Sequence, residues 1–444
     1  MDRRSRSLGY MRAGAVVTAT TAEPVSRERC RGGWYMLEGG GYVCNVADVI
    51  AFDGEKLPEV RGAQPNPETA LPYQFGYAKR DRVPVFRRLP TIEELRAAED
   101  PAVLAAVMRG PPEDSDGGVV EGDSTGDSGS GDSEASAADT ASETSEEEGA
   151  PTLSSLQGHE ASPVLRVLMK GFYVSLDREF DVPPRKVWRT LHNEFIPSEA
   201  LALVTGSEFE GAVLDETTTL PLGFVLSSDT CAYVPNEKGA LKCAEKPGYH
   251  FRFHVASREG EGKKAYVVDD AGRRFAERDV TVLELRKRPK KVAEDESWID
   301  VDLERQSLVA YEGDRPVYAT LISSGRVRRG DPKKEHATPA GVYRLLSKHV
   351  SHVMDGDNAI DGPYSIEDVP YVMYFQGAFA LHTAFWHNRF GRPKSHGCVN
   401  LAPKDAKWLF GWTDPKLPAS WHGVYPDAKK AGTWVFVRGE APVL

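Results

Sequence analysis

One histidine and one cysteine near the C-terminus have the residue types and the order for acyl transfer. Cys398 ends the segment Ser395-His396-Gly397-Cys398, and His382 precedes that segment in the chain. A thiol is the strongest side-chain nucleophile near neutral pH once a base has removed its proton, and an imidazole can act as that base. Glycine lets the backbone approach a substrate carbonyl closely and leaves amide N–H groups to stabilise an oxyanion. The pattern therefore predicts a nucleophile turn with Cys398 as the nucleophile and His382 as its base.

The segment SHGCVN at 395–400, together with His382, resembles the signature of the L,D-transpeptidase (YkuD) family. That signature is a histidine, then a dozen or more residues, then Ser/Thr-His-Gly-Cys-x-Asn/Arg. The resemblance extends over about 296–438 and includes further segments similar to this family, at 298–303, 306–311, 338–343, 373–375 and 403–409. An ordered histidine and SHGC segment with these flanks rarely arises by chance, so the resemblance is specific.

The resemblance implies a reaction on the peptide stems of peptidoglycan. Cys398 would form an acyl-enzyme with a donor tetrapeptide stem, and the amine of an acceptor stem would resolve it to a 3–3 crosslink. With water as the acceptor, the same site would be an L,D-carboxypeptidase, and anchoring of a protein to peptidoglycan is a further outcome of the same chemistry. Carbapenem-type β-lactams are expected to acylate Cys398, because they mimic an acyl donor. No metal and no cofactor is expected to take part.

The resemblance also assigns roles to the neighbours of the nucleophile. The carbonyl of Thr383 would orient the His382 ring, and amides around Gly397 and Cys398 would hold the oxyanion. His396 would shape that oxyanion hole or contact the substrate. Four more residues are candidate substrate contacts, with turn stabilisation or core packing as the alternative for each: Ser395, Asn400, Trp386 and Tyr374. Asn400 stands where many relatives carry arginine, which bears on substrate preference.

Three alternatives compete with this interpretation. Papain-like wall endopeptidases also combine a cysteine, a histidine and SH3-like modules, but in them the cysteine precedes the histidine, whereas His382 precedes Cys398 here. A zinc site could combine the nearby histidines with Cys398, but neither a CxxC nor an HExxH pattern occurs. A wall-binding scaffold without activity is the third alternative, and the intact SHGC segment argues against it.

Short strands must position these residues. Residues 298–303 alternate apolar and polar side chains, which predicts a half-buried strand. Residues 306–311 and 317–321 predict a hairpin, and a strand at 379–381 leads into His382. The density of short strands predicts a mainly β fold with a β-sandwich at 296–438. The family resemblance implies that this sandwich is L,D-transpeptidase-like, with short helices.

The chain before this region resembles bacterial SH3-like domains, which are small β-barrels. Aromatic and β-branched segments separated by glycine and polar turns recur along it. Three related modules are predicted, at 1–52, 70–210 and 211–290. The second module is interrupted by an acidic linker at 111–160 that is expected to be disordered. Thr91 and Glu94 form a capping-box pattern that predicts the start of a helix in the second module.

The net charge of −11 comes from a single segment of the chain. Residues 111–150 contain thirteen aspartates and glutamates and no lysine or arginine, so the remainder is close to neutral. Because no basic stripe occurs, nucleic-acid binding is not expected. No apolar run is long enough to span a membrane, and no apolar signal segment follows the basic N-terminus. A monomer is expected, with peptidoglycan stem peptides as its partners.

The four remaining cysteines form two close pairs in the sequence, Cys30 with Cys44 and Cys231 with Cys243. Two close pairs and one odd thiol are typical of two disulfides and one reactive cysteine in an oxidising compartment. Reduced buried thiols are the alternative. Together with the family resemblance, the cysteine pattern predicts a location in the periplasm or cell envelope.

Overall fold

The computed structural model describes residues 7–46, 64–109, 153–327, 336–357, 362–428 and 430–443. Within these ranges the chain forms 28 β-strands and three α-helices, which confirms the mainly β fold class. Most of the acidic linker, at 111–152, lies outside the described residues. No helix in the described part of the chain is long and apolar enough to cross a membrane.

The N-terminal segment forms a small hairpin and one strand that joins a distant sheet. Its strands are β1 (Gly9–Met11), β2 (Trp34–Met36) and β3 (Tyr42–Cys44). β2 and β3 pair antiparallel, and the predicted disulfide between Cys30 and Cys44 is present beside them. β1 instead pairs with a strand close to the C-terminus, with Gly9 opposite Val424. The module boundary at 52 falls outside the described residues and stays a prediction.

The second region contains strands on both sides of the acidic linker. Its elements are β4 (Gln74–Ala78), β5 (Val83–Phe86), α1 (Ile92–Ala97), α2 (Pro101–Arg109), β6 (Val164–Leu168), β7 (Tyr173–Val182), β8 (Arg185–Thr190), β9 (Phe195–Pro197) and β10 (Leu201–Val204). The capping box predicted at Thr91 begins α1: Thr91 Oγ1 accepts from the Glu94 amide at 3.2 Å, and Glu94 accepts from the Thr91 amide at 2.9 Å. β5 pairs antiparallel with β6, so the chain segments flanking the linker meet in one sheet.

The third region forms a seven-stranded sheet. Its strands, after the short β11 (Ala212–Val213), are β12 (Leu222–Val225), β13 (Ala232–Pro235), β14 (Leu241–Glu245), β15 (Arg252–Glu259), β16 (Tyr266–Asp269), β17 (Arg274–Ala276) and β18 (Val280–Leu283). The order is β14-β13-β17-β16-β15-β12-β18. The predicted disulfide between Cys231 and Cys243 is present beside the β13–β14 pair. In the described residues the pairings leave β14 and β18 as open edges, and the relation to SH3-like barrels stays a prediction.

The C-terminal region contains the predicted β-sandwich. Its elements are β19 (Ser297–Asp302), β20 (Ser307–Glu312), β21 (Arg315–Leu321), β22 (Gly341–Arg344), β23 (Ser347–Gly356), β24 (Tyr364–Gln376), β25 (Phe379–Thr383), β26 (Val399–Leu401), α3 (Pro403–Trp412), β27 (Trp421–Val424) and β28 (Trp434–Arg438). One sheet has the order β11-β21-β20-β19-β28-β22, and the other contains β27, β23, β24, β25 and β26. Ile299 and Val435 of the first sheet share a buried core with Phe375, Leu381 and Val399 of the second. The β-sandwich is thereby confirmed.

Strand β19 differs from the half-buried strand that alternation predicts at 298–303. Its polar residues Asp300 and Asp302 are only 6% and 2% exposed. Arg438 of the neighbouring β28 pairs with both, its Nε 2.9 Å from Asp300 Oδ1 and its Nη2 2.7 Å from Asp302 Oδ2. Buried charges require such partners. The prediction was wrong because the polar positions carry a buried ion-pair network rather than a solvent face.

The second sheet of the sandwich continues into the N-terminal regions. β24 pairs with β7 through Ile366 and Tyr173, and β27 pairs with β1. The result is a sheet of thirteen strands that contains residues from the N-terminal, second and C-terminal regions. The predicted module boundaries stay predictions. Strands from different predicted modules nevertheless pair with each other in this sheet.

Candidate active site

Two neighbouring parallel strands carry the candidate nucleophile and base. β25 pairs with β26 so that Leu381 lies opposite Val399 and His382 opposite Asn400. Because side chains alternate along a strand, His382 and Asn400 point to the same side of the sheet. Cys398 lies two positions before Asn400, in the bend that precedes β26. The strand pairing thus brings His382 beside the segment that follows Cys398.

His382 is buried, with a relative exposure of 3%. Its Nδ1 lies 2.9 Å from the Thr383 carbonyl oxygen, so Nδ1 donates and Nε2 keeps its lone pair. The Trp386 ring lies on the same imidazole, with centroids 5.9 Å apart and planes 29° from parallel. Loss of solvation lowers the pKa of His382 to about 4, although the Thr383 carbonyl acts in the opposite direction. The imidazole is therefore neutral and able to accept a proton at Nε2.

Cys398 is the free cysteine of the described residues and is half-buried. Its Sγ lies 3.6 Å from the carbonyl oxygen of Ala378, and no hydrogen bond joins it to His382 in the described structure. Burial raises the pKa of the thiol to about 11, partly offset by the Ala380 amide. The resting pair is thus a neutral thiol and a neutral imidazole. Catalytic hydrogen bonds often tighten only when substrate binds.

The turn before Cys398 is held by Ser395. Ser395 Oγ accepts from the Gly397 amide at 3.1 Å and donates to the Cys398 carbonyl oxygen. Gly397 has a φ of +129°, and an added Cβ would lie 2.6 Å from the Phe379 ring, so only glycine fits. Because Ser395 already occupies the Gly397 amide, that amide does not face an oxyanion in this state. This differs from the expectation that the Gly397 amide is available.

His396 is surrounded by three residues that sequence reasoning did not single out. Its ring stacks on Tyr364, with centroids 5.1 Å apart and planes 10° from parallel, and meets the His336 ring edge-on at 4.8 Å. Arg326 Nη2 lies 2.8 Å from His396 Nε2. Since a guanidinium only donates, His396 Nε2 accepts and the ring proton sits on Nδ1. The three residues lie outside the SHGC motif, and no local pattern distinguishes them.

The candidate substrate contacts divide into two groups. Trp386, Tyr374 and Cys398 each pack against the same buried cluster, which consists of Val369, Val372 and Ala380. Tyr374 also bonds through its hydroxyl to His352 at 3.1 Å. Asn400 is 1% exposed, and its Nδ2 lies 3.1 Å from His387 Nε2. The side chains of Asn400 and Ser395 both form hydrogen bonds within the protein. Direct substrate contact by either residue stays a prediction.

The half-buried thiol of Cys398 precedes β26, and the buried imidazole of His382 lies on the neighbouring β25. Residues 296–437 match the family model of the L,D-transpeptidase catalytic domain, YkuD. The C-terminal region of the chain is therefore similar to L,D-transpeptidase catalytic domains.

Individual relatives are similar over part of the chain. The "Putative L,D-transpeptidase YciB" of Bacillus subtilis (strain 168) is 28% identical over 125 residues, which cover 26% of this chain and 59% of the relative. The chain thus spans well under the full length of that relative. The NMR structure of the E. faecium L,D-transpeptidase catalytic domain is 28% identical with a TM-score of 0.25, covering 32% of this chain and 98% of that one. The same domain acylated by ertapenem is also 28% identical with a TM-score of 0.25, covering 33% and 99%.

Proposed function

We propose that the protein is a peptidoglycan L,D-transpeptidase that forms 3–3 crosslinks through an acyl-enzyme on Cys398. The observation that carries this proposal is the parallel pairing of β25 with β26. It pairs His382 with Asn400, two residues after Cys398, and the Nδ1 proton of His382 is donated to the Thr383 carbonyl. That arrangement leaves Nε2 as the lone pair that can take the thiol proton.

In the first half-reaction, Cys398 Sγ attacks the carbonyl carbon that follows the L-centre of the third stem residue. The thiol proton passes to His382 Nε2 and then to the amine of the departing terminal residue. The new bond is a thioester, and the broken bond is the peptide bond to that terminal residue. Because both resting groups are neutral, proton transfer accompanies attack rather than preceding it.

In the second half-reaction, the side-chain amine of an acceptor stem attacks the thioester. His382 Nε2 accepts a proton from that amine and returns it to the sulfur as the C–S bond breaks. The oxyanion of each tetrahedral intermediate needs a backbone donor, typically worth about 3 kcal/mol. The Cys398 amide is the candidate donor, because Ser395 already occupies the Gly397 amide.

The two cysteine pairs support a place for this reaction outside the reducing cytosol. Both disulfides are present in the structure. Disulfides persist in oxidising compartments, and the family acts on peptidoglycan. We infer a location in the cell envelope. Retention of both disulfides in protein recovered from the envelope fraction is the expected result.

The test is a muropeptide assay with purified protein and disaccharide-tetrapeptides. Mass spectrometry is expected to show dimers linked between two third residues, and these dimers are expected to be absent with Cys398→Ala and His382→Ala. His159→Ala, which changes an exposed histidine, is the matched control and keeps activity. Tripeptides without dimers would instead identify a carboxypeptidase.

A second assay distinguishes a protein that cannot form an acyl-enzyme from one that lacks a suitable acceptor. The intact protein is incubated with ertapenem and its mass is read. An adduct on the wild type that is absent from Cys398→Ala shows a working nucleophile. No adduct and no muropeptide product would favour a wall-binding scaffold instead.

A further inference from the structure

Thr338 is a buried threonine that contacts the turn before Cys398 from a distant part of the sequence. It lies 59 residues before Gly397 and is only 4% exposed. Its Oγ1 donates to the Gly397 carbonyl oxygen at 2.7 Å and accepts from the Gly325 amide at 2.8 Å. The hydroxyl thus uses its single proton on Gly397 and a lone pair on Gly325, and it joins three separate segments of the chain.

These three segments pack backbone against backbone at Gly325. A Cβ added to Gly325 would collide with the His336 carbonyl oxygen and would lie 2.9 Å from Gly397 Cα. Gly325 also forms a parallel bridge with Ser395, and the Arg326 amide donates to the Ser395 carbonyl oxygen at 3.1 Å. Because close-packed backbone has little room to shift, the Gly397 carbonyl is held in one position by Thr338.

The hydrogen bond from Thr338 also determines where the Cys398 amide points. The Gly397–Cys398 peptide bond is trans. In a planar trans peptide the carbonyl oxygen and the amide hydrogen point in opposite directions, so a carbonyl held on one side turns the amide to the other. In the described part of the chain the Cys398 N–H has no hydrogen-bond partner. This donor therefore stays available on the side of the peptide that faces away from Thr338.

We propose that Thr338 is a positioning residue for the oxyanion: by holding the Gly397 carbonyl, it aims the Cys398 amide at the oxygen of the acyl group under attack. The inference rests on the proposed function, in which the Cys398 amide is the oxyanion donor. A donor that is already aimed stabilises the developing charge without having to reorient during the reaction. Thr338 contacts no reacting atom, so its contribution is made through the peptide between Gly397 and Cys398.

Two reagents distinguish this role from a general support of the fold. Ertapenem acylates a thiol through a tetrahedral intermediate in which the β-lactam carbonyl oxygen becomes an oxyanion. Iodoacetamide alkylates the same thiol by displacing iodide from a saturated carbon, and no oxyanion forms. Loss of an aimed amide donor should therefore slow acylation and leave alkylation unchanged, whereas displacement or exposure of the thiol would change both rates.

The test measures both rate constants by intact mass on the full chain, in variants whose tryptophan fluorescence matches the wild type. Thr338→Val and Thr338→Ala both remove the hydroxyl, so a folding defect in one leaves the other for the measurement. In both, acylation by ertapenem is expected to fall about tenfold or more, while alkylation by iodoacetamide stays within about threefold of the wild type. Thr338→Ser keeps the hydroxyl, and its acylation rate is expected to stay within about threefold of the wild type.

The matched control is Thr281→Val, which removes a buried threonine hydroxyl of β18 that donates to the Arg305 carbonyl oxygen at 3.0 Å. Both of its rates are expected to equal those of the wild type. Acylation at the wild-type rate without the Thr338 hydroxyl, a parallel fall in both rates, or an equal loss in Thr338→Ser would overturn this inference and leave the proposed function intact. A wild type that ertapenem does not acylate would overturn both.

Discussion

The thiol of Cys398 and the imidazole of His382 are both kept neutral by their removal from water. Burial raises the pKa of the thiol to about 11 and lowers the pKa of the imidazole to about 4. Each shift disfavours the charged form of its group. In the proposed mechanism, the thiol would therefore be protected from adventitious reaction until a substrate carbonyl is in place.

This neutral pair predicts a pH dependence for alkylation of Cys398 by iodoacetamide. Because the thiolate fraction rises about tenfold per pH unit below the pKa, the second-order rate constant should rise about tenfold per unit between pH 7 and 10. Stopped-time alkylation read by intact mass measures it. Cys398→Ala is the control and should stay unmodified. A plateau near pH 7 would instead reveal a stable thiolate–imidazolium pair.

Arg326 donates to His396 on the turn before Cys398, with its Nη2 2.8 Å from His396 Nε2. Replacing it by methionine removes a contact that orients this ring, so the rate of ertapenem acylation in Arg326→Met is expected to fall about tenfold. Arg315→Met, an exposed arginine, is the matched control. An acylation rate equal to that of the wild type would show that Arg326 does not position the turn.

Sequence reasoning at this scale succeeds where residues are close in the chain. His382 and Thr383 are neighbours in the chain, and the His382 ring donates to the Thr383 carbonyl oxygen. The placement of Cys398 against that ring stays a prediction. Arg326 and Tyr364 come from distant segments, and only the folded sheet brings them to His396. The hydrogen bond from the Gly397 amide to Ser395 is likewise a property of the turn, which residue types alone do not determine.

Among the elements, α3 packs against the sheet that carries the site, and a buried lysine closes its C-terminal end. Lys348 of β23 is fully buried, and its Nζ donates to the Phe410 and Thr413 carbonyl oxygens at 2.6 and 2.8 Å. Carbonyls at a helix C-terminus have no partner within the helix, and a cation there is favourable. α3 is thus anchored by a strand of the same sheet as β25.

Lys348→Met is expected to destabilise the protein by about 2 kcal/mol, since two buried carbonyls lose their donor. Chemical denaturation followed by tryptophan fluorescence measures the change. Lys416→Met is the matched control, because Lys416 donates to Gly411 and Trp412 carbonyls of the same helix end from an exposed position. It should cost less than about 0.5 kcal/mol. Equal losses in the two variants would contradict a special contribution of the buried lysine.

The sequence predicts local features of the strands and helices better than it predicts which strands pair with each other. The capping box at Thr91 follows from a short pattern and is present at the start of α1. The pairing of β1 with β27 joins residues at opposite ends of the chain, and no local pattern signals it. β19 was misjudged for the same reason, because Arg438 lies on a strand that is distant in the sequence.

At the scale of the whole molecule, Asp368 of β24 links the N-terminal regions to the catalytic domain. It lies 3.6 Å from Arg12 Nη1 and 3.0 Å from His192 Nε2, and it accepts from Ser175 Oγ at 2.6 Å and Ser351 Oγ at 2.9 Å. Burial alone would raise the pKa of Asp368, but the bonds from His192 and Ser175 hold it well below its usual range. One carboxylate thereby fastens three parts of the chain together.

Asp368→Asn is expected to lower the stability by about 3 kcal/mol at pH 6, because it leaves buried donors and Arg12 without their charge partner. The lowered pKa of Asp368 means that its contribution is present above pH 4 and is lost as the pH falls. The pKa of His192 is raised by the bond to Asp368, so its contribution is lost as the pH rises past the ordinary imidazole value. Melting temperatures from pH 3 to 8 should show a maximum in the wild type that is flatter in the variant. Asp181→Asn, at an exposed position on β7, is the control.

β5 and β6 pair antiparallel and flank the acidic stretch in the sequence. The chain leaves β5 at Phe86 and returns beside it at Val164, so the segment that contains the acidic stretch is attached to one sheet at both ends. Adding or deleting residues in such a stretch costs little, because closing a loop depends only weakly on its length. A change in the length of this stretch is therefore expected to leave the pairing of β5 with β6 and the C-terminal β-sandwich intact.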